Sequence, residues 1–457
     1  MYVTNLKISD VLGFHGARNV DLDFARPDGT YAGLTVLAGR NGSGKTSLLR
    51  CLALLLLDSR AGWALAPGYA DWRARSEKDG HLAAGFLLDA KEAEEFDAEG
   101  PKTFTADITL PAPSREERDG PRWPVVTRRS ASFPVGAHDR QRTGTGEAAR
   151  MAPGPIRDSF AAGYGPFRRL STAHPEARTN RFDGNEAAAR FATLFSEDAA
   201  LGESVSWLIG LHLRKLEQRE GAGALLDAVL ALLADGLLPD GHRVQRVDSD
   251  GLWVSGDGGE FPLRHMSDGY RTVTALVLDL VRALHDFHGA IPLDRSTGVP
   301  AVRLPGVVLI DEIDAHLHVS WQQRIGDWLK AHFPLVQFIV TTHSPYICQS
   351  ADPGGLIRLA GPDEDEPPRV VDESLYRRVV YGSGDDAALS ELFGLDSPYS
   401  RRAEDVRREL VRLEERVFSG AATEDEVHRY QELSERLTSS SSARVDEVAA
   451  RLGGATE

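Results

Sequence analysis

The chain has 457 residues, 42% hydrophobic and 26% charged, proportions that are typical of a folded globular protein and exclude a disordered or fibrous chain. The formal charge of −16 excludes binding to nucleic acid or to an anionic membrane through overall charge, so any such contact requires a local basic surface. Two cysteines, Cys51 and Cys348, are too few for a disulfide framework or a cysteine-rich zinc site, and a reduced, cytoplasmic location is expected.

Residues 1 to 58 predict the first lobe of an α/β domain. Val20, Leu22 and Phe24 alternate with polar residues as in a half-buried strand, and a nearly continuous apolar run follows, which is typical of a buried strand. A helix is predicted from Thr46 to Leu57. The apolar run in this helix is too short to span a membrane, and the N-terminus lacks the pattern of a signal peptide, so no membrane role is predicted.

Residues 59 to 150 are predicted to be an insertion, with strands at His81 to Leu88 and Thr103 to Leu110. A stretch rich in proline, arginine, glycine and serine, from Pro111 to Pro155, then predicts a loop or a partly disordered insertion. Its arginines are candidate contacts for nucleic acid because local neutralisation of phosphates is sufficient, although a solvated loop is the simpler interpretation. These arginines are Arg115, Arg118, Arg128, Arg129, Arg140 and Arg142.

The remaining chain predicts four segments. Residues 151 to 260 predict a helical lobe that ends in a β-hairpin, and residues 261 to 360 predict a second α/β lobe. Residues 361 to 402 are expected to be a linker because they begin with an acidic, proline-rich stretch. Residues 403 to 457 predict a helical hairpin, because two apolar stripes with helical spacing lie on either side of a capping-box sequence.

The strongest local signal is a phosphate-loop sequence that fits G-x-x-x-x-G-K-[ST] between a predicted strand and a predicted helix. Its glycines allow backbone N–H groups to surround phosphates, and the helix N-terminus adds the positive end of its dipole. The sequence therefore predicts a bound nucleotide with Mg²⁺, the Lys45 ammonium reaching the β and γ phosphates and the Thr46 hydroxyl binding the metal, but the loop alone leaves the class of nucleotide-binding protein open. The predicted ATP-binding residues of this loop are Gly39, Arg40, Asn41, Gly42, Ser43, Gly44, Lys45, Thr46 and Ser47.

A second signal is the apolar strand 307–310, which ends in two carboxylates. In a Walker B strand, Asp311 would bind Mg²⁺ and Glu312 would orient the attacking water. Alone, such a strand is more often structural. Together with the phosphate loop, it predicts that Asp311 is a metal ligand and Glu312 is the catalytic base.

Two further patterns are weaker individually. Ser267 and Gly269 precede a predicted helix, and there a hydroxyl, backbone N–H groups and a helix dipole suit a γ-phosphate, although a plain helix N-cap is equally compatible. His343 ends another buried strand. A single histidine in such a position is usually structural, but its place one strand beyond the Walker B strand favours contact with the γ-phosphate and a catalytic role.

These four elements, in this order, resemble the ABC-type ATPase heads of the SMC and RecF group. The resemblance implies an α/β P-loop ATPase head with inserted mixed and helical segments and a C-terminal helical hairpin. It also implies that two copies enclose two ATP molecules, with Ser267 and Gly269 of one copy contacting the γ-phosphate held by Lys45 of the other. Asp314 would then be the D-loop aspartate, and the chain would hydrolyse ATP to ADP and phosphate. No glutamine occupies an obvious Q-loop position.

Within this group, residues 160–169 and 392–397 look like segments of the ATPase subunits of Septu-type and retron-associated antiphage systems. That resemblance implies that the chain regulates a separate HNH-type nuclease, with a second copy of itself and nucleic acid as further candidate partners. The alternative is a RecF-like DNA-repair ATPase that acts on DNA without a nuclease partner. Arms for SMC-type cohesion are not predicted, because no sustained heptads lie between the two lobes.

Overall fold

The computed structural model describes residues 1–74, 78–88, 103–111, 125–130, 159–166, 185–196, 203–256, 258–395 and 397–437, with the backbone alone at 125–130. The chain divides into two compact units, Met1–Gly394 and Leu395–Glu457. Among the helices of the described residues, none has both the length and the apolar character needed to cross a membrane.

The strands of the first unit follow in chain order. They are β1 (Tyr2–Ser9), β2 (Val20–Asp23), β3 (Gly33–Ala38), β4 (Gly80–Leu87), β5 (Thr103–Leu110), β6 (Val125–Ser130), β7 (Ala161–Tyr164), β8 (Arg243–Asp248), β9 (Gly251–Gly256), β10 (Gly259–Pro262), β11 (Leu293–Asp294), β12 (Ala301–Val302), β13 (Gly306–Ile310), β14 (Val336–Thr342), β15 (Leu356–Arg358) and β16 (Arg369–Val370).

The α-helices of the first unit lie between these strands and after them. They are α1 (Lys45–Leu56), α2 (Ser59–Leu65), α3 (Glu186–Ala189), α4 (Ala192–Phe195), α5 (Glu203–Leu216), α6 (Ala222–Ala234), α7 (Asp268–His288), α8 (Val319–Gln322), α9 (Ile325–His332), α10 (Pro345–Cys348), α11 (Glu373–Val380) and α12 (Gly384–Ala388).

The central sheet has the strand order β16-β15-β3-β14-β13-β7, and all neighbouring pairs except β15 with β16 are parallel. Strand β14 therefore lies between β3, which precedes the phosphate loop, and β13, which precedes the Walker B carboxylates. Because carboxyl ends of parallel strands meet at one edge of a sheet, the predicted ATP site is assembled at that edge. The predicted α/β fold class is confirmed.

Both faces of the central sheet are covered, which explains why its strands are almost continuously apolar. Successive side chains alternate between two cores: Val36 packs in the core that contains α7, and Leu37 packs in the core that contains α1. The helix that begins at Lys45 is thus fixed by its own apolar face. The burial holds the phosphate loop at the end of β3.

A second, antiparallel sheet, β2-β1-β4-β5-β6, contributes to the same core as α1. Its strands β4 and β5 confirm the two strands predicted in the insertion. Strand β6 lies within the stretch predicted to be a loop, so that prediction is wrong at Val125–Ser130, where the β-branched start of the segment pairs with β5. The rest of the arginine-bearing stretch lies outside the described residues, and so do the side chains of Arg128 and Arg129 on β6.

The predicted helical lobe contains α5 and α6, followed by the antiparallel sheet β10-β9-β8. The predicted hairpin is confirmed as β8 and β9, and β10 extends it. Leu226 of α6, Val244 of β8 and Leu276 of α7 belong to one core, which joins this lobe to the central sheet. Consequently, α7, which begins directly after Ser267, packs in the core that joins the helical lobe to the central sheet.

Residues 361–394 of the interval predicted to be a linker belong to the first unit and include the helices α11 and α12. Tyr376 and Val379 of α11 are buried, and the Tyr376 hydroxyl donates to the Ala351 carbonyl at 2.9 Å. The acidic start of this interval, residues 361–366, is here named the acidic strap. The buried Arg358 guanidinium pairs with Glu364 at 2.5 Å and with Glu366 at 2.8 Å. Asp363, Asp365 and Glu366 are exposed, as expected for a solvated segment, but Glu364 and Glu366 also pair with the buried Arg358, so the strap is anchored rather than a free linker.

The described part of the second unit is a helical hairpin of α13 (Arg401–Phe418) and α14 (Glu424–Arg436). The predicted capping box is present: the Thr423 side chain accepts from the Glu426 amide, and the Glu426 side chain accepts from the Thr423 amide. An ion pair of 2.9 Å between Arg429 and Glu409 joins the two helices. The predicted hairpin is confirmed.

Candidate functional site

The phosphate loop joins β3 to α1 in a conformation that requires glycine. Gly42 has a φ of 78° and Gly44 a φ of 97°, both in the left-handed region that residues with a side chain rarely adopt. A Cβ atom on Gly39 would lie 2.5 Å from the Leu359 carbonyl oxygen. The loop is thus a backbone turn packed closely at its base. Asn41 and Gly42 lie exposed at its tip, Ser43 is buried, and Thr46 and Ser47 lie in the first turn of α1.

The Lys45 ammonium is folded back into this loop. Its Nζ donates to the carbonyl oxygens of Gly39 at 2.7 Å and Arg40 at 3.0 Å. Burial lowers the pKa of Lys45 to about 8, and the charges of Asp311 and Glu312 act in the opposite direction. A buried cation in a cradle of glycine backbone is the arrangement that an anionic phosphate would stabilise.

The Walker B carboxylates meet the end of β14. Asp311 is buried, and its Oδ1 accepts from the Thr341 hydroxyl at 2.6 Å. The Glu312 backbone N–H donates to the same hydroxyl oxygen at 2.7 Å. Glu312 has a φ of 47°, an uncommon conformation for a residue with a side chain. Thr341, which the motifs did not reveal, therefore fixes both residues.

His343 and Asp314 lie at the same edge. The Thr342 hydroxyl donates to Asp314 Oδ1 at 2.6 Å, and the His343 backbone N–H donates to the same oxygen at 3.3 Å. The His343 ring is half-buried, and its pKa is lowered first by burial and then by the charge of Lys45. The imidazole is therefore held neutral near neutral pH, in which form one ring nitrogen donates and the other accepts.

Ser267 and Gly269 lie at the start of α7. Ser267 is exposed at the N-cap position, but its side chain makes no capping hydrogen bond. A Cβ atom on Gly269 would lie 2.4 Å from the His316 carbonyl oxygen, so this glycine permits close contact with the loop after the Walker B strand. Among the described residues, no hydrogen bond joins Ser267 or Gly269 to the phosphate loop of the same chain.

A cavity of about 570 Å³ opens beside the phosphate loop. Its floor includes Ser43 and Ser47, and one wall is made by Phe14, His15 and Arg18. These three residues were missed by the sequence analysis because they belong to no motif. A Cβ atom on Gly44 would lie 2.8 Å from the Phe14 ring, so the glycine allows this ring to pack closely on the loop. The volume and the adjacent cradle suit the nucleoside part of a nucleotide.

The cavity is also lined by residues of the acidic strap, namely Pro362, Asp363, Glu364 and Asp365. Arg18 links the strap to the phosphate loop, since its guanidinium donates to the carbonyl oxygens of Ser43 at 3.2 Å and Gly361 at 3.0 Å. The strap is therefore part of the candidate site.

Within the described part of the chain, no group of three or more His, Cys, Asp or Glu residues is arranged to hold a metal ion. The candidate metal ligands are the Thr46 hydroxyl and the Asp311 carboxylate. Hydroxyl and carboxylate oxygens fit Mg²⁺, which commonly keeps few protein ligands and takes the rest from substrate phosphates and water. The donor set therefore matches the predicted metal.

Two family models match the chain. One, described as "AAA domain, putative AbiEii toxin, Type IV TA system", matches residues 151–349, and the other, described as "AAA domain", matches residues 5–62. Together they include the phosphate loop, the start of α7, the Walker B carboxylates and His343. The matches support the predicted ATPase domain.

Individual relatives agree. The Retron Ec83 probable ATPase of Escherichia coli is 37% identical over 131 residues, which are 28% of this chain and 22% of that protein. The Septu protein PtuA of Bacillus mycoides (strain KBAB4) is 25% identical over 358 residues, which are 78% of this chain and 40% of that protein. The chain is a relative of the retron and Septu proteins. The resemblance predicted from the motifs is thus confirmed.

The chain spans less than half the length of the curated relatives it matches. Among solved structures, an Smc head domain with an extended coiled coil, bound to the C-terminal domain of ScpA from Pyrococcus furiosus, is 18% identical. That match has a TM-score of 0.43 and covers 81% of this chain and 96% of the other.

Proposed function

We propose that the chain binds ATP with Mg²⁺, hydrolyses ATP in a head-to-head dimer of two copies, and thereby regulates a partner nuclease of the HNH type in antiphage defence. The observation that supports this proposal most strongly is the meeting of Lys45, Asp311, Glu312 and His343 at the ends of three adjacent parallel strands. This arrangement provides a cation for phosphates, a carboxylate for a metal, and a carboxylate and an imidazole for an attacking water.

Each residue would have one role in hydrolysis. Lys45 would leave its two backbone carbonyl partners and hold the β and γ phosphates. Glu312 would orient the attacking water, and neutral His343 would contact the γ-phosphate with a ring N–H. Mg²⁺, when bound by Thr46 and Asp311, would neutralise charge on the phosphates. The catalytic power then rests on positioning and electrostatics, as is general for phosphoryl transfer.

The dimer is proposed because Ser267 and Gly269 are not hydrogen-bonded to their own phosphate loop, while the Ser267 hydroxyl is exposed and does not cap its helix. A hydroxyl and backbone N–H groups at the start of a 21-residue helix suit the γ-phosphate of a second copy. The nuclease partner is proposed from the resemblance to Septu-type ATPase subunits. Nucleic acid remains a candidate partner through the arginines of the insertion.

Replacing Glu312 by Gln tests the core of the proposal. The amide keeps the shape of the side chain but cannot accept a proton from water, so phosphate release should fall by about 100-fold or more while ATP and Mg²⁺ remain bound. Light scattering should then show a dimer that accumulates with ATP. Lys45→Ala is the matched control, which should lose binding as well as turnover. Equal phosphate release by the wild type and Glu312→Gln would refute the role of Glu312.

A further inference from the structure

The acidic strap is in direct contact with the tip of the phosphate loop. The Arg40 guanidinium pairs with Asp363 through one nitrogen, 3.1 Å from Oδ2 and 3.2 Å from Oδ1. Pro362 lies over Gly42, because a Cβ atom on that glycine would be 3.5 Å from Pro362 Cγ. Arg40 belongs to the loop that is predicted to bind phosphates, but its guanidinium is paired with a carboxylate of the same chain.

The two ends of Arg40 have different partners. Its carbonyl oxygen accepts from Lys45 inside the loop, whereas its guanidinium points to the strap. The side chains of Arg40 and Asp363 are 43% and 64% exposed. An ion pair with this exposure is weak because water screens it, so a second anion can replace Asp363 as the partner of Arg40.

The strap does not depend on Asp363 for its position. Glu364 pairs with the buried Arg358 at 2.5 Å and accepts from the Gly361 amide at 3.0 Å. Arg18 donates to the Gly361 carbonyl at 3.0 Å from the other side. Loss of the Arg40 contact would therefore leave the strap in place beside the cavity.

The charges around the cavity favour competition between Asp363 and bound phosphates for Arg40. Asp363, Glu364 and Asp365 line one wall, and Glu364 is already paired with Arg358. A nucleoside triphosphate bound at the phosphate loop would bring several negative charges close to Arg40, which belongs to that loop. A guanidinium makes charge-assisted hydrogen bonds to phosphate oxygens as well as to carboxylate oxygens, so phosphates can replace Asp363 as the partner of Arg40.

We propose that Asp363 is an internal competitor for the nucleotide: it holds Arg40 in the empty site, and the bound phosphates take Arg40 from it. This inference rests on the proposed nucleotide binding at the phosphate loop. Asp363 would thus set the nucleotide affinity at a lower value than the loop itself could give. No bond is made or broken in the exchange, which is a change of ion-pair partner.

Calorimetric titration of the full chain with Mg²⁺ and adenylyl imidodiphosphate, an ATP analogue that is not hydrolysed, tests the proposal. Asp363→Asn removes the competing charge and keeps an acceptor oxygen, so the analogue should bind roughly two- to fivefold more tightly. Asp365→Asn is the matched control, because it removes the same charge from the same wall without touching Arg40. Its effect on affinity should be clearly smaller.

Arg40→Gln completes a double-mutant cycle. This variant should bind the analogue more weakly than the wild type, and adding Asp363→Asn to it should change nothing further, since there is no longer an arginine to release. Equal gains from Asp363→Asn and Asp365→Asn, or a gain that persists in the Arg40→Gln background, would overturn the proposal. Unchanged or weaker binding by Asp363→Asn would do the same.

Failure of the proposed nucleotide binding gives a different result, because the wild type itself would then show no saturable heat with the analogue. Thermal unfolding of each variant completes the set. The exposed pair contributes little to stability, so all the variants should unfold within a few degrees of the wild type.

Discussion

The Thr341 hydroxyl hydrogen lies between the threonine oxygen and Asp311 Oδ1, at an oxygen to oxygen distance of 2.6 Å. The same hydroxyl oxygen accepts the N–H of Glu312. One small side chain on β14 therefore orients the carboxylate that would hold Mg²⁺ and the backbone of the residue that would orient water. The strand order makes this possible, since β14 lies directly beside β13.

Replacing Thr341 by Val should impair turnover without abolishing nucleotide binding. The valine fills the same space but removes the hydrogen bonds that the Thr341 hydroxyl makes with the Asp311 carboxylate and the Glu312 amide, at a cost of about 1–3 kcal/mol. If that cost falls on the transition state, kcat should drop about tenfold or more. Thr341→Ser, which keeps the hydroxyl, is the control. Equal kcat values for Thr341→Val and the wild type in a phosphate-release assay would remove Thr341 from the site.

Nucleotide affinity should depend on pH through Lys45. The pKa of the free protein's Lys45 is lowered to about 8, and bound phosphates would favour the charged form. Below pH 8 the lysine already carries its proton, so affinity should change little. Above pH 8 binding must be coupled to proton uptake, and affinity should fall by at most about tenfold per pH unit. Calorimetry in buffers of different ionisation heat measures this uptake, and a flat affinity between pH 7 and 9.5 would contradict it.

The lowered pKa of Lys45 also affects the free energy of unfolding, which should rise with pH where the nucleotide affinity falls. An ordinary lysine titrates near pH 10.5, so between about pH 8 and pH 10.5 the unfolded chain binds more protons at this position than the folded chain. The contribution of Lys45 to the free energy of unfolding therefore rises with pH over that interval. A Lys45→Met variant should lack this contribution, which chemical denaturation at several pH values would reveal.

Replacing Ser267 by Arg tests whether two copies complete each other's sites. The exposed serine leaves room for the larger side chain in one chain, so the fold and the binding of ATP should survive. In a dimer the arginine would occupy the place of the γ-phosphate contact, and turnover should fall to near background. Normal hydrolysis by this variant would exclude the head-to-head arrangement.

Ser267→Ala separates the two interpretations of this residue. A plain N-cap serine would contribute about 1 kcal/mol to stability. Because the Ser267 side chain makes no capping hydrogen bond, the alanine variant should keep its melting temperature. It should still turn over ATP more slowly than the wild type if the hydroxyl contacts a γ-phosphate.

Truncation of the second unit tests where the proposed nuclease binds. The structural boundary lies after Gly394 and α13 begins at Arg401, so a chain that ends at residue 394 removes the whole unit without cutting a helix. The first unit retains its own core, and ATP binding should persist. Association with an HNH nuclease in a coexpression pull-down should be lost. Retained association would place the contact on the first unit.

The parts of the site that were predictable from sequence are those built from neighbours in the chain. The phosphate loop needs closely spaced glycines and a lysine, and a Walker B strand needs an apolar run followed by carboxylates. The capping box at Thr423, outside the site, was predictable for the same reason, because its two residues lie three positions apart. Such patterns are visible because the chemistry and the backbone geometry occur within a few residues.

Contacts across the fold could not be predicted in this way. Thr341 becomes important only when β14 is placed beside β13. The ion pair between Arg40 and Asp363, which lie 323 residues apart, likewise forms only after folding. Composition shows how many charges a segment carries but not which partners neutralise them. The same limit applies to Phe14, which acquires its place only when it packs on Gly44.

The absence of a side chain at Gly269 has a consequence for the order in which two copies would hydrolyse ATP. The start of α7 touches the backbone of His316, which lies five residues beyond the Walker B aspartate. If the loop that contains His316 moves when one ATP is cleaved, the start of α7 must move with it because the two are in direct contact. In a dimer, the start of α7 would contact the ATP bound by the other copy. The two hydrolysis events would then occur as a linked pair, so the rate should rise with ATP concentration along a sigmoidal curve.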